Sequence, residues 1–363
     1  MTLVIIVWLL LAFSVWYIPV RLQALKVVSK PLWWRIVASV FLVGYMLLVF
    51  SDMYTRDNFS IGILYNILGL VFVFWVYLFC YLVLTHPLIL VKSLPKKGIG
   101  YAGILLSVAL VTWGFINAQN FKVTHYDLQT KGLEKDVKIV HLPDIHLGTQ
   151  RGAGYLNKIL KVIEEEQPDI VLYNGDLVDS DIALKSELFS LFKQVKAEQY
   201  YTTGNHEYYM NTDNALQLID DAGIKILRNE MVETHGVQLI GLEYMNADRE
   251  TYDAHVVNEL TIEEELPKIK RDREKPTVVV HHSPVGMQYV EDGGADFMLA
   301  GHTHAGQFFP GTAMVSLRFP MYKGLHEIGN TKLLVSQGAG TFGPMMRLGS
   351  SNEVQVINLI PKI

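Results

Sequence analysis

The sequence predicts an α/β domain, with helices packed over a pair of mixed β-sheets, preceded by an α-helical transmembrane region of about four spans. Charge is divided between the two parts: residues 1–120 carry a net charge of +6, whereas residues 121–363 carry −11 and eleven of the twelve histidines. Apolar stretches of membrane-spanning length occur in the first part, and short apolar runs rich in β-forming residues recur in the second. We therefore expect a membrane region over 1–120 and one domain over 121–363.

The first part contains four apolar stretches: Leu3–Val20, Ile36–Phe50, Ile61–Val91 and Tyr101–Ala118. A helix needs about 20 apolar residues to cross about 30 Å of hydrocarbon. The first and fourth stretches have this length, and the second reaches it if it continues to Tyr54. The third is longer than one straight span and contains Pro87, so we interpret it as a tilted or kinked span. Buried core helices are the alternative, which the scarcity of charged residues disfavours.

Basic residues in the predicted loops indicate how the spans are oriented. Four Lys and Arg residues follow the first span and three follow the third, whereas Arg56 is the one cation between the second and third. The positive-inside rule places the two basic loops in the cytoplasm. The N-terminus and the C-terminal domain are then predicted to face outward.

Composition excludes several other classes of protein. The acidic second part is unlike a dedicated nucleic-acid-binding domain, which would be basic, so no nucleic-acid polymer is expected as a partner. Cys80 is the only cysteine, so neither a disulfide framework nor a cysteine-based zinc site is possible within the chain.

In the second part, three helical patterns lie between the early predicted strands: Tyr155–Glu166, Ala183–Lys196 and Asn214–Ala222. Five of the predicted strands are followed directly by Asp, Asn or His. These strands are Val137–Leu142, Ile170–Tyr173, Tyr200–Thr203, Thr277–Val280 and Phe297–Ala300. Because ligands of open α/β sheets bind at the carboxyl ends of strands, the five loops predict one site. A single such loop would be ordinary turn chemistry.

The side chains in these loops predict a site for two metal ions. Imidazole and carboxylate ligands without thiolate suit Mn, Fe or Zn. Asp144 and His146 are two residues apart, and on an extended segment they would point the same way and hold one ion. Asp176 is the natural carboxylate to bridge two ions. Two ions about 3.5–4 Å apart form the clamp used for in-line displacement at phosphorus.

Taken in order, the motifs resemble the calcineurin-like metallophosphoesterase family. They are Asp-x-His, Gly-Asp-x-x-Asp, Gly-Asn-His-Glu, a later His and Gly-His-x-His, and the match covers roughly Lys138 to Leu359. Within the family, the sequence is similar to membrane-tethered bacterial phosphodiesterases in the segments Asn205–Tyr209, Gly301–Gln307 and Ser336–Gly338. The resemblance implies a four-layer α/β/β/α sandwich and a location in a bacterial cell membrane, and the basic loops place the predicted catalytic domain on its outer face.

The resemblance also implies roles for individual residues. The first metal would be held by Asp144, His146, Asp176 and His304, and the second by Asp176, Asn205, His282 and His302. His206 would act on the phosphate without binding metal, and Asp179 would orient it. We choose His282 over His281 because the family's ligand lies two residues before a proline, and the opposite assignment stays open.

These expectations lead to a hypothesis for the activity. The protein would be a membrane-anchored phosphoesterase that hydrolyses a phosphodiester or pyrophosphate bond by attack of a metal-bound hydroxide on phosphorus. We hypothesise a lipid or a nucleotide-linked lipid as substrate, because the domain begins within a few residues of the fourth span. Three alternatives stay open: a non-catalytic receptor or scaffold, a transporter with an accessory hydrolase, and a phosphomonoesterase that acts on soluble substrates. The oligomeric state is not predicted.

Three further features have two interpretations each. Gly338–Gly343 matches the letters of a dinucleotide-binding loop, but no long helix follows it, so we interpret it as a turn near the metal site. Tyr208, Tyr209 and Arg347 either touch the substrate or serve in packing and as a solvated charge. His141 lies inside a predicted strand and is interpreted as a packed or hydrogen-bonded residue.

Overall fold

The computed structural model describes residues 2–52, 59–91, 93–251 and 259–362. The described chain divides into two compact units, one that contains the N-terminal helices and one that contains both β-sheets. Tyr54, Arg56 and Lys92, which enter the predicted spans and their orientation, lie outside the described residues.

The helical unit consists of α1 (Thr2–Ala24), α2 (Pro31–Asp52), α3 (Phe59–Leu84) and α4 (Lys96–Asn117). Apolar side chains of α1, among them Ile18 and Leu22, pack with Leu78 and Leu82 of α3. Arg21 is buried in α1 and donates to the backbone oxygens of residues 85 and 86 at 3.1 and 3.0 Å. The buried cation is therefore hydrogen-bonded where the chain leaves α3.

Two helices in the described chain are long and apolar enough to cross a membrane, Gly62–Leu84 and Lys96–Asn117. Within α1 and α2, the apolar segments Trp8–Ala24 and Pro31–Leu47 fall in the range of 10–17 residues, shorter than the 18 residues of a candidate span. Four helices are therefore found where four spans were predicted, but the count of four spans is not confirmed.

The described residues of the second unit form twelve strands in two six-stranded sheets. In chain order they are β1 (Phe121–Thr130), β2 (Val137–Leu142), β3 (Ile170–Asn174), β4 (Glu198–Thr202), β5 (Lys225–Ile226), β6 (Glu230–Thr234), β7 (Val237–Gly241), β8 (Thr277–Val280), β9 (Phe297–Ala300), β10 (Gly324–Ile328), β11 (Thr331–Val335) and β12 (Asn352–Pro361). The first sheet has the order β1-β12-β2-β3-β4-β5 and the second the order β10-β11-β9-β8-β7-β6. Both sheets mix parallel and antiparallel pairs, so the predicted pair of mixed sheets is confirmed.

Where the structure describes this unit, six α-helices accompany the sheets: α5 (Ala153–Glu166), α6 (Ser186–Phe189), α7 (Thr212–Asp221), α8 (Ile262–Glu265), α9 (Met287–Asp292) and α10 (Gly311–Arg318). The predicted helix Ala183–Lys196 is confirmed only in part, because this stretch forms the short α6, which continues as the 3₁₀ turn Ser190–Gln194, and a separate 3₁₀ turn, Asp181–Ala183. Ala183, Phe189 and Phe192 are buried at spacings of three and six, which suits a helix of three residues per turn.

Successive side chains along a strand point to opposite faces of its sheet, and each face packs against a different layer of the unit. Ile139 of β2 packs between the sheets with Leu239 and Leu299, whereas Val140 and Leu142 pack on the outer face with α5 and α7. On the opposite face of the second sheet, α8 and α9 cover a third cluster. The unit is thus helices, sheet, sheet and helices. The carboxyl ends of β2, β3 and β4 and of β8 and β9 carry the loops predicted to form the site.

Candidate metal centre

The predicted site residues follow five strand ends, and the structure brings them together. Three groups of side chains each place their potential ligand atoms within 4.8 Å of one another. The groups are Asp144, His146 and His304; Asp176, His282 and His302; and His146, Asp179 and His206. Asn205 lies next to His206 at the start of a 3₁₀ turn and is buried. Sequence spacing therefore identified a set of residues that is compact in space.

Many of the predicted site residues have an unusual backbone conformation, which directs their side chains towards the centre. Asp144, His146, Asp176, His302 and His304 all have positive φ, between 48° and 67°. Side chains other than glycine adopt this region at a cost of about 1–3 kcal/mol, and such residues cluster at functional sites. The expectation that Asp144 and His146 lie on an extended segment is wrong. Both residues turn through the left-handed region instead, which still brings their side chains to one side.

The loops after β2 and β3 are tied to each other by backbone bonds. The amide of Asp144 donates to Gly175 O at 3.0 Å, and that of His146 donates to Asp176 O at 2.9 Å. Gly175 itself has a φ of 75°, and a Cβ atom there would collide with the ring of His282. A glycine is therefore required where this imidazole approaches the loop.

The first group surrounds the Asp144 carboxylate. His304 Nε2 lies 3.3 Å from Asp144 Oδ1 and 3.0 Å from His146 Nε2. Both oxygens of Asp144 also accept from the amide of His302, at 3.2 and 3.0 Å. The three side chains are buried, so the donor set faces a low-dielectric interior.

The second group surrounds the Asp176 carboxylate. His282 Nε2 lies 3.2 Å from Asp176 Oδ2 and 3.7 Å from Asp144 Oδ1. His146 Nε2 lies 3.8 Å from the same Asp176 oxygen. Asp176 therefore reaches imidazoles of both groups, as a bridging ligand must.

The two neighbouring histidines after β8 have different surroundings. The ring of His281 bonds to the backbone at both nitrogens: Nδ1 donates to Ser283 O at 2.8 Å, and Nε2 accepts from the amide of Met245 at 3.3 Å. His282 donates from Nδ1 to Asn174 O at 2.7 Å, which leaves Nε2 directed at the carboxylates. This geometry favours His282 over His281 as the ligand.

Asp179 contacts two imidazoles. Its Oδ1 lies 2.8 Å from His206 Nδ1, in line with the predicted orienting role, and 3.3 Å from His146 Nδ1. His206 Nε2 in turn lies 3.9 Å from Asp176 Oδ2. One carboxylate thus holds both a predicted ligand and the predicted catalytic histidine, a link that sequence spacing does not show.

Glu207 has a structural role that the sequence analysis did not assign. Its carboxylate accepts from the amides of Asp176 at 3.0 Å, Leu177 at 2.9 Å and Gly204 at 2.9 Å. These amides belong to the loops after β3 and β4, so one buried side chain fixes the positions of Asp176 and Asn205. The signal available in the sequence was the acidic residue in Gly-Asn-His-Glu.

Arg347 fulfils neither of its predicted roles. Its side chain is fully buried and donates to several backbone oxygens, including those of His304 at 2.7 Å and Gln337 at 2.7 Å. It therefore positions the loop of His304 and is not a solvated charge. Within the glycine-rich turn, Gly340 donates to Asp144 O at 2.6 Å, so the turn lies against the centre as predicted.

Electrostatics in the centre are set by the two carboxylates. Burial alone would lower the pKa of His282, but Asp176 and Asp144 outweigh it and raise the pKa to about 10. Burial lowers the pKa of His304 to about 4, despite the neighbouring Asp144. Burial would raise the pKa of Asp176, and the imidazoles of His282 and His206 hold it well below its usual value. The cluster therefore attracts positive charge.

The donor set fits a pair of divalent cations. Imidazole, carboxylate and amide oxygen without thiolate suit first-row metals. Within the described residues, Asn205 Oδ1 is buried without a hydrogen-bond partner, and His282 Nε2 faces the Asp176 carboxylate at 3.2 Å without forming a hydrogen bond to it. Such atoms are costly to bury unless something coordinates them.

Comparison with known proteins also points to a metallophosphoesterase. The sequence profile described as calcineurin-like phosphoesterase matches residues 137–306. The chain is 32% identical over 264 residues to an uncharacterized metallophosphoesterase of Campylobacter jejuni, covering 70% of this chain and 68% of the relative. It is 31% identical over 246 residues to an uncharacterized metallophosphoesterase of Helicobacter pylori (strain J99), covering 66% of this chain and 64% of that relative.

A third relative is a zebrafish (Danio rerio) protein named as a transmembrane protein with metallophosphoesterase domain. The chain is 29% identical to it over 273 residues, covering 70% of this chain and 61% of the relative. The chain thus spans less than two thirds of the length of the Helicobacter and zebrafish relatives.

Proposed function

Since the chain belongs to the calcineurin-like metallophosphoesterase family, we propose that it is a membrane-anchored hydrolase of phosphodiester or pyrophosphate bonds that uses two divalent cations. The observation that carries this proposal is the pair of ligand groups joined through Asp176. Asp144, His146 and His304 would hold one cation, and His282, His302 and Asn205 the other, with Asp176 between them. Mn, Fe and Zn all suit these donors.

The bound cations would polarise the phosphoryl oxygens and supply a nucleophile from water at neutral pH. The chain's own contribution is to place a proton donor beside them. Asp179 holds Nδ1 of His206 at 2.8 Å, so Nε2 is the nitrogen that faces the Asp176 carboxylate. We assign to this nitrogen the proton that the leaving oxygen receives, with Asp179 stabilising the imidazolium form. Most of the site's side chains are buried, which strengthens their electrostatic interaction with bound cations.

Membrane anchoring is supported by the two candidate spans and by relatives named as transmembrane proteins in zebrafish and cattle. A lipid or nucleotide-linked lipid is the proposed substrate class, because an enzyme fixed to a bilayer meets such substrates at high local concentration. A bacterial cell membrane, with the catalytic domain outside, is the proposed location.

The substrate class can be tested with the purified full-length chain in nanodiscs. Its turnover would be measured with Mn²⁺ on matched pairs of phosphodiesters and phosphomonoesters, each pair offered once as a lipid and once as a soluble analogue. We expect the lipid diesters to be hydrolysed with the highest kcat/KM. Preference for soluble monoesters would reject the substrate class, and an absence of metal-dependent turnover on any substrate would favour a non-catalytic receptor.

A further inference from the structure

Large apolar side chains are exposed in one region of the α/β unit. Among the residues described there, those exposed by more than about a third are Phe309, Leu317, Leu325 and Phe342. All four fall between residues 309 and 342, in the segments that follow β9 and β11. We name Phe309, α10, Phe319, Leu325 and Phe342 together the apolar rim.

Helix α10 is the most exposed element of the apolar rim. None of its eight residues is buried, although it includes Met314, Val315 and Leu317. Leu317 is 77% exposed. A helix that carries apolar side chains and buries none of them fully is unusual on the surface of a soluble domain.

The apolar rim is continuous with the metal centre. The ring of Phe319 meets that of His302 edge-on at 6.0 Å, and the ring of Phe342 meets that of His206 at 4.9 Å. Gln307 fixes Phe342 by two bonds, donating from its amide to Phe342 O at 2.8 Å and accepting from the Phe342 amide at 2.9 Å. The exposed surface therefore reaches directly to two predicted site histidines.

Charge in this region has the opposite sign to that of the domain. Residues 297–326 contain no Asp or Glu, and they contain Arg318 and Lys323, within a domain that carries −11 overall. The nearest acid along the chain, Glu327, lies 3.8 Å from Lys332. Both cations are exposed and lie over aromatic rings, Arg318 at 5.2 Å from the centre of Phe319 and Lys323 at 5.4 Å from that of Tyr322. Apolar and aromatic side chains with cations beside them are the combination found at membrane interfaces.

We propose that the apolar rim contacts the headgroup region of a bilayer that contains anionic lipid. The cations would attract phosphate headgroups, and Leu317 and Phe309 would enter the boundary of the acyl chains. The candidate spans in the same polypeptide favour a bilayer over a protein as the occupant, because they would keep the chain at the membrane; this step rests on the membrane anchoring of the proposed function. This surface is independent of which phosphoester the centre hydrolyses.

The contact can be measured without an activity assay. Cys80 is the only cysteine, so Cys80→Ser allows a single label to be placed by Leu317→Cys in the full-length chain. An environment-sensitive fluorophore at this position would be recorded in nanodiscs of phosphatidylcholine and phosphatidylglycerol that carry spin-labelled lipid. Lys196→Cys, at an exposed position outside the apolar rim, is the matched control.

We expect a blue-shifted label at position 317 that lipid spin labels quench several-fold more strongly than the label at 196. Adding Arg318→Glu and Lys323→Glu should reduce this quenching in phosphatidylglycerol nanodiscs, whereas Lys196→Glu should leave it unchanged. Equal quenching at the two labelled positions would overturn the proposal. A blue shift without lipid quenching would also overturn it, since the apolar rim would then be covered by protein.

Discussion

His206 is fixed by two carboxylates of the centre, Asp179 and Asp176. Its Nδ1 is bound by Asp179 at 2.8 Å, and its amide donates to Asp176 Oδ1 at 2.8 Å. The residue is thus fixed by two carboxylates while its Nε2 faces the site. This arrangement suits a proton donor whose loss removes catalysis without removing a metal ligand.

We predict that His206→Ala retains both metal ions and loses kcat by about 10²–10⁴-fold, the usual contribution of a general acid. Metal content would be measured by elemental analysis and turnover on a phosphodiester under saturating Mn²⁺. His125→Ala is the matched control, because His125 is half-exposed and lies outside the centre. Loss of a metal ion in His206→Ala would show that this histidine is a ligand.

Protons and metal ions compete for Nε2 of His282, and this competition predicts that metal binding depends on pH. With a pKa raised to about 10, the metal-free imidazole is protonated at neutral pH, and its proton must leave when Nε2 coordinates. His304, with a pKa near 4, releases none in this range. Apparent affinity should therefore rise with pH, by up to about tenfold per unit.

Calorimetric titration of Mn²⁺ in buffers of different ionisation enthalpy would count the released protons. We expect about one proton per pair of ions at neutral pH from this histidine. His282→Gln should lower both the affinity and the proton count. A proton count that is the same in the wild-type and His282→Gln chains would contradict the assignment.

The sequence predicts which strand ends carry the site, but it does not predict the contacts between the loops that follow those strands. The pattern of apolar runs followed by Asp, Asn and His predicted which strands carry the site, because parallel strands end at a common edge. It could not show that Asp179 is shared by two histidines or that Arg347 is buried, since both contacts join residues far apart in the chain. Nor does local sequence encode the positive φ of Asp144 and His146, which the surrounding loops impose.

Glu207 provides a test at the level of these loops. Both of its oxygens accept backbone amides, and a glutamine would turn an NH₂ group towards them. We predict that Glu207→Gln destabilises the domain by about 1–3 kcal/mol and weakens metal binding. Thermal unfolding and metal titration would check this.

Glu165→Gln, on the exposed side of α5, removes the same charge without touching a loop and serves as the control. If Glu207→Gln and Glu165→Gln unfold at the same temperature and bind metal equally, the positioning role is wrong.

Charge is unevenly distributed over the whole molecule. The domain carries −11, yet residues 328–352 resemble residues 297–326 in lacking Asp and Glu. The acidic domain therefore contains two stretches of sequence without acidic residues, and the first of them includes most of the apolar rim. The helical region could be predicted as four helices from its apolar runs, but length and composition identify two of them as candidate spans.

The orientation in the membrane stays a prediction from the basic loops. A periplasm-active reporter fused after Ile363 should be active if the C-terminal domain faces outward, and a cytoplasm-active reporter at the same position should be silent. The reverse result would place the catalytic domain inside. Fusions after Lys97 should give the opposite pattern and control for expression.

The most direct test of the account is the dependence of hydrolysis on two bound ions bridged by Asp176. The metal-free full-length chain would be titrated with Mn²⁺ while bound metal and turnover of a phosphodiester are followed together. We predict that turnover reaches its maximum with two ions per chain, and that Asp176→Asn lowers it by about 10²-fold or more. Full turnover with one ion or none, or in Asp176→Asn, would contradict the account.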